Sequence, residues 1–223
     1  MRHIIIVTAA AVALTIGLPI LAWAQVKPAE VPKEAHDEAE RYLPVVRKMV
    51  TAETYRRLGF ESVEEASRAS LEKPMRVLMV RLDRLREYRP ETRIAEMFED
   101  TDEVRYPISV DGQVRASVVM RRIDGKWQVA KFGRPMLTRA LTAAIRKHMA
   151  ETQAPAGAFF EVEIPALNLD FAGRDAGNRI LLTTTAEDSR FGLKPDEEID
   201  AQELFARIAP YARDLKTGPR LSD

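Results

Sequence analysis

The residues of this chain whose spacing could do chemistry are carboxylates. Glu161 and Glu163 alternate along one expected strand, and Asn168 and Asp170 follow across a change of parity at Pro165. On one shared face, such a group supplies the carboxyl pair that glycoside hydrolysis requires, one acid for the leaving oxygen and one base or nucleophile opposite. The plainer reading is the wet side of a half-exposed strand, where Glu at every second position simply meets water.

Histidine offers less. Beyond His3 the chain has only His36 and His148. His36 and Glu40 lie four apart on an expected helix, beside Asp37 and Glu38, and two such side chains could meet a metal. The H-E-x-x-H pattern is absent, so the plainer reading, a solvated polar face, is the favoured one. His148 continues the apolar stripe of a later helix near its C-terminus, which suits capping or core packing. The acidic run Glu99, Asp100, Asp102, Glu103 lacks the Gly and the terminal Glu of an EF-hand loop and reads as a plain loop. No metal and no cofactor are expected.

Arginine is used heavily, with Arg76, Arg81, Arg84, Arg86, Arg89 and Arg93 in one stretch and Arg105, Arg115, Arg121 and Arg122 in another. The guanidinium fork suits phosphate and carboxylate, so an anion-binding surface is one reading. Composition bias, with Asp and Glu interleaved, is the other.

Several classes are excluded. The 223 residues contain no Cys, which removes disulfides, thiol nucleophiles, Cys-ligated zinc, c-type haem and iron–sulfur sites. No two of the ten glycines are separated by a single residue, so G-x-G-x-x-G is missing, as are the P-loop and the G-x-S-x-G elbow. Lys and Arg number 34 against 34 for Asp and Glu, and this neutral balance argues against a nucleic-acid partner.

The elements that must position these groups follow an export signal. Ile4 to Leu21 is apolar and Ala22-Trp23-Ala24 forms an A-x-A site before Gln25, which reads as a cleaved signal peptide and places the protein in the periplasm or outside the cell. Retention as a membrane anchor is the rival, since Ile4–Ala24 could cross a core of roughly 30 Å. After cleavage no stable membrane span is expected.

The expected organisation is a signal peptide over 1–24, a tether and helical segment over 25–61, an α+β lobe over 62–151, a linker over 152–158, a second α+β lobe over 159–216 and a tail over 217–223. Leu43, Val46, Val50 and Leu58 keep a helical spacing that Pro44 could kink. Ser62 to Glu65 forms a capping box opening a short helix. Val77 to Val80 fits a strand buried on both faces, and Pro90 with Ile94, Met97 and Phe98 fits another short helix.

Val104 to Phe132 alternates and is punctuated by Asp111-Gly112 and Asp124-Gly125, giving a three-stranded meander. A two-residue loop at Asp124-Gly125 sets Arg122 against Trp127 and Met120 against Val129. A three-residue loop over Val110–Gly112 sets Ile108 against Val114, Tyr106 against Ala116 and Val104 against Val118, so the turns should differ. The apolar face, from Val104 to Val129, should receive the helix beginning at Pro135. The opposite face carries Arg105, Arg115, Ser117, Arg121 and Phe132, with Phe132 against Ser117 and Val119 against Ala130. Arginine and an aromatic on apolar ground make these five the candidate binding residues.

In the second half the parity change at Pro165 implies a bulge or break on an edge strand, followed by a partner strand over 180–185 and a last helix capped near Asp200. The fold class is therefore α+β, an antiparallel β-meander packed against helices, with two similar small lobes and only the outline of cystatin-like or NTF2-like sheets. The expected function is an exported, non-enzymatic binding module of the cell envelope, its partner an envelope protein or an anionic envelope component. The alternatives are a carrier of a lipid or small apolar molecule, and an enzyme with a carboxylate-based site.

Overall fold

A computed structural model describes residues 30–215; the signal segment, its cleavage point, most of the tether and the tail lie outside the described residues. Those described form four α-helices and nine strands of one mostly antiparallel sheet, an α+β fold. Helix α1 (Lys33–Met49) buries Ala35, Ala39, Leu43 and Val46 along one stripe and runs through Pro44 without dividing. Strands β1 (Ser70–Leu71) and β2 (Met75–Met79) follow, then α2 (Leu82–Glu87), β3 (Glu99–Val110), β4 (Gln113–Ile123), β5 (Lys126–Gly133) and α3 (Pro135–Thr152). The chain ends with β6 (Phe159–Ile164), β7 (Leu169–Asp175), β8 (Ile180–Thr184), β9 (Glu198–Asp200) and α4 (Ala201–Asp214).

The strand order is β5-β4-β3-β2-β6-β7-β8-β9, with β1 also on β3. Its centre is the parallel pair β2–β6, in register from Arg76 with Phe160 to Met79 with Glu163. That pair joins the two halves, so the sheet runs on across the segment read as a linker, which carries the chain from α3 back to the centre. The run Val77–Val80 is apolar because β2 has a neighbour on each edge and cover on each face.

Helices cover the faces differently from the sequence expectation. The Val104, Tyr106, Ile108 face packs against α1, whose Ala39, Leu43 and Val46 share its core. Helix α3 lies on the opposite face, where Leu141, Ala144 and Ile145 meet Met75, Phe159 and Ala172. The physical reason is that α1 already buries the more apolar face, so α3 takes the mixed one, its small Ala144 passing close over the strands. Helices α2 and α4 pack over the far half on the α1 side, with Tyr88 and Phe98 each against Phe205. The N-cap of α4 is Asp200, which accepts a hydrogen bond from the Gln202 N–H at 2.8 Å.

Register differs in three instructive places. Both Asp-Gly loops are two-residue turns with both residues at positive φ, and with a bulge at Arg115 Ile108 pairs with Ala116, Tyr106 with Val118 and Val104 with Met120, each two residues on from the expected partner but on the same face. A two-residue loop at Asp111-Gly112 thus stands where a three-residue one was expected, and it works because the extra residue sits in β4 rather than in the turn. Met120 pairs with Val129 and Arg122 with Trp127 as expected, but a second bulge at Ala130 sets Val119 against Lys131 and Val118 against Phe132. Phe132 therefore joins the α1-side core, Gly133 takes the place expected for it opposite Ser117, and Lys131 takes the place expected for Ala130 opposite Val119. Finally, the parity change at Pro165 is a chain reversal. A 3-10 turn over Pro165–Leu167 with Asn168 left-handed closes a β6–β7 hairpin, and β6 is central rather than an edge. The acidic run expected as a loop begins β3, and the capping box opens a 3-10 turn over Glu64–Arg68 in which Glu65 accepts from the Glu61 N–H.

Candidate functional site

The β6–β7 hairpin brings Glu161, Glu163 and Asp170 to the α3 face, with carboxylate oxygens within 4.8 Å of one another. Asn168 is not among them, being spent on the turn. Far from forming a wet side, Glu161 is completely buried. Its two oxygens accept from Arg105 Nε at 2.6 Å and Nη2 at 2.9 Å, while Arg105 Nη1 donates to Ser117 Oγ at 2.8 Å. Ser117 donates in turn to the Gly133 carbonyl, and Thr138 Oγ1 of α3 lies 2.9 Å from it.

The network continues outward. Glu163 lies 3.6 Å from Arg105 and from Arg134 and 3.5 Å from Lys131. Arg134, just before α3, donates to Asp170 at 2.7 Å. Glu103, buried on β3, accepts from Arg121 Nε at 2.7 Å and from Lys131 Nζ at 3.0 Å. Four cations thus face four carboxylates across β3 to β7, which is the condition for keeping charge inside a fold. Burial opposes the Arg105 charge, but the Glu161 carboxylate, helped by Glu163 and Asp170, holds its pKa above the ordinary arginine range. Burial pushes the Glu161 carboxyl up, against the pull of Arg105 and with the push of Glu163 and Asp170.

The three clustered carboxylates are the group that could geometrically hold a metal. Arg105, Lys131 and Arg134 already stand on the same oxygens, so a cation entering there must displace side chains that neutralise the site. As an acid–base pair they fare no better, because Glu161 has no exposed surface and none of the three lines either cavity described below.

A second arrangement has the outline of a nucleophile and its base. His148 Nε2 is 2.9 Å from Thr183 Oγ1, and His148 Nδ1 is 3.3 Å from Glu151. Thr183 and His148 are both buried, tying α3 to β8, which is the core use read from the apolar stripe. His36 is exposed and near the ring of Tyr106 at 5.8 Å, with no histidine or cysteine beside it.

The five candidate binding residues are therefore separated. Arg105 and Ser117 are each 1% exposed inside the network, Arg121 stands at its rim, and Phe132 is on the other face. Arg121 is exposed to solvent, whereas Arg115, nearly buried, borders a cavity. It lines a groove of about 530 Å³ with Arg56, Gly59, Glu61, Pro135 and Arg139, beside the N-terminus of α3. Gly59 is required there: its φ is +89°, and a Cβ would lie 2.1 Å from the Arg115 carbonyl oxygen and 2.6 Å from Pro135 Cβ. A second cavity, of about 580 Å³, is walled by the 90–95 segment, the β7–β8 turn and the start of α4.

Lys131, Arg134, Arg56 and Arg139 escaped sequence reasoning. A signal for Lys131 exists, since the apolar spacing from Trp127 to Val129 to Phe132 lengthens by one residue and marks the bulge at Ala130. Arg56, Arg134 and Arg139 carry no comparable signal.

Comparison with protein-family models, with curated proteins and with solved structures finds no match for this chain.

Proposed function

We propose that this protein is an exported, non-enzymatic binding module of the cell envelope whose partner presents negative charge. The observation carrying this reading is an asymmetry of charge: the buried acid and base groups under α3 are closed into neutral pairs, while at the Gly59 groove Arg56 and Arg139 are exposed and are held by a hydroxyl and by carbonyls rather than by carboxylates. Carboxylates neutralised by neighbouring cations are poorly placed to exchange a proton with a substrate, whereas exposed arginines suit phosphate and carboxylate. The apolar stretch to Leu21 and Ala22-Trp23-Ala24 support export. Among the described residues no helix is long and apolar enough to cross a membrane.

A carrier role is the second reading, favoured by the cavity of about 580 Å³, where Ile94, Ala95 and Ile180 supply apolar wall between Arg93 and Arg179.

The test uses the mature chain. Mass spectrometry of protein from the native host should give Gln25 as the first residue. Retention on an envelope fraction should be strong at about 0.05 M salt and lost near 1 M, where the screening length falls to about 3 Å. Retention that survives high salt, or no retention at all, rejects the anionic partner, and retained Met1 rejects cleavage.

A further inference from the structure

We infer that the Gly59 groove is a phosphoryl-binding site, made by Arg56, Arg115, Arg139 and the N-terminus of α3. The inference rests on the reading above and names the ligand group.

The N-terminus of α3 is electrostatically bare. Its N-cap, Arg134, makes no side-chain capping bond, its first turn holds no acidic residue, and Arg139 follows in the second turn. An 18-residue helix presents a partial positive charge at that end, usually answered by Asp, Glu or a capping hydroxyl. Here no side chain among the described residues caps it and its first turn holds no acid; Asp170 and Glu163 are engaged by Arg134, and Arg115 and Arg139 line the groove beside it.

The arginines are unevenly satisfied. Arg139 donates from Nε to the Val114 carbonyl at 3.0 Å and from Nη2 to the Gly59 carbonyl at 2.8 Å, so it is held in place without meeting a carboxylate. Arg56 is exposed and donates from Nε to the Tyr55 hydroxyl at 2.8 Å. Arg115 is only 8% exposed, and its buried Nε has no hydrogen-bond partner, although Nη1 and Nη2 meet Glu61 and Glu65 at 2.8 Å each. That Nε is closed off from solvent, so what Arg115 offers the groove is Nη1, on displacing Glu61, with Arg56 and Arg139 beside it. Of the lining residues only Glu61 is acidic, and its side chain is 72% exposed.

A phosphate monoester matches this set. It carries about −1.5 to −2 charge and three terminal oxygens near neutral pH, enough to engage three guanidinium groups, and helix N-termini with backbone N–H groups facing out favour it. Glu61 then acts as the resident competitor, holding Arg115 when the groove is empty and swinging into solvent when phosphate arrives. Its exposure makes that exchange cheap.

The experiment titrates the mature protein with inorganic phosphate, following the amide signals of Gly59, Met136 and Leu137 by NMR. Saturable shifts centred on those amides are expected at millimolar phosphate or below. R56Q should weaken binding severalfold. E61Q should tighten it, by roughly two- to fivefold, because an exposed competing ion pair is worth up to about 1 kcal/mol. Neither substitution touches the core, and both variants should keep the wild-type melting temperature to within about 4 °C, the most that losing one exposed ion pair costs. Vesicles of phosphatidylcholine with phosphatidic acid, against phosphatidylcholine alone, separate a lipid headgroup from free phosphate: retention on the first with E61Q tighter assigns the headgroup, and titration by phosphate without vesicle retention assigns the free ion. Equal affinities for wild type, R56Q and E61Q, shifts elsewhere, or no shifts overturn the site. If they do so while envelope retention remains salt-sensitive, the groove is wrong and the binding module stands.

Discussion

Removing Arg105 should expose how the two halves of the sheet are held together. In R105M the fully buried Glu161 keeps its charge but loses both hydrogen bonds, with Glu163 and Asp170 still nearby. Breaking a buried pair in this way costs about 3–5 kcal/mol, and a domain of this size loses about 2–4 °C per kcal/mol, so the melting temperature should fall by about 6–20 °C. E161Q should cost less, about 1.5–3 kcal/mol, since the amide keeps one acceptor for Arg105 and Glu163 remains 3.6 Å from the guanidinium. The double variant R105M/E161L, which buries an apolar pair of similar size, should recover at least ~2 kcal/mol of the R105M deficit. The R105M deficit should also depend on pH with a definite sign. Without Arg105 the folded Glu161 carboxyl rises further above its unfolded value of about 4.3, so protonation favours the folded state below that value and the benefit is lost as pH climbs through the folded one. The gap between R105M and wild type, read by urea unfolding, should therefore narrow from about pH 7 to about pH 5. A deficit below ~1 kcal/mol, or one independent of pH, would refute the claim that the charge is buried and paired.

Two further outcomes follow from other parts of the fold. Gly173 on β7 lies opposite Phe160, whose ring would be 2.3 Å from an added Cβ, so G173A should overpack the centre and cost about 1–3 kcal/mol in thermal unfolding, and an unchanged melting temperature would contradict the packing. The Arg190 hydrogen bond holds Asp188 below the usual carboxylate range; for Glu198 burial works the other way, but Arg174, donating at 2.8 and 3.0 Å, outweighs it. Such groups stabilise the fold above their unfolded pKa values and cease to as pH falls through the folded ones, so wild type and D188N/E198Q should differ at about pH 6 and converge below about pH 3.5, a constant gap being the contrary result.

The fold was legible where local chemistry decides structure and obscure where one residue changes a face. Asp-Gly pairs, the Pro135 helix start, the Asp200 cap and the apolar Val77–Val80 run each state their own conformation. The bulges at Arg115 and Ala130 do not, because a bulge is selected by what both strands gain on either side of it. At Ala130 the gain is double, since Phe132 enters the α1-side core while Lys131 reaches Glu103 and Glu163. Which helix covers which face was equally hidden: both α1 and α3 have an apolar stripe, and only the competition between them assigns α1 to the apolar side. The parallel β2–β6 pair joins residues more than eighty positions apart, beyond any periodicity in the chain.

For the site, the same residue type serves two ends. Arg105 and Arg115 read alike in sequence, each on the meander with small or apolar neighbours, and both are nearly buried. What separates them is the carboxylate each meets. Arg105 meets Glu161, supplied by a strand from the other half of the chain and wholly enclosed, so exchange for a ligand requires opening the sheet. Arg115 meets two: Glu65, buried beside it, which holds Nη2, and Glu61, supplied by the loop after α1 and mostly in water, so freeing Nη1 for a ligand requires one side chain to turn. Pairing inside a sheet fixes structure, and pairing at a groove rim holds a place that a ligand can take. By that criterion the network under α3 belongs to folding and the Gly59 groove to binding, and a variant series on Glu161 should alter stability without altering anion affinity, while a series on Glu61 should do the reverse.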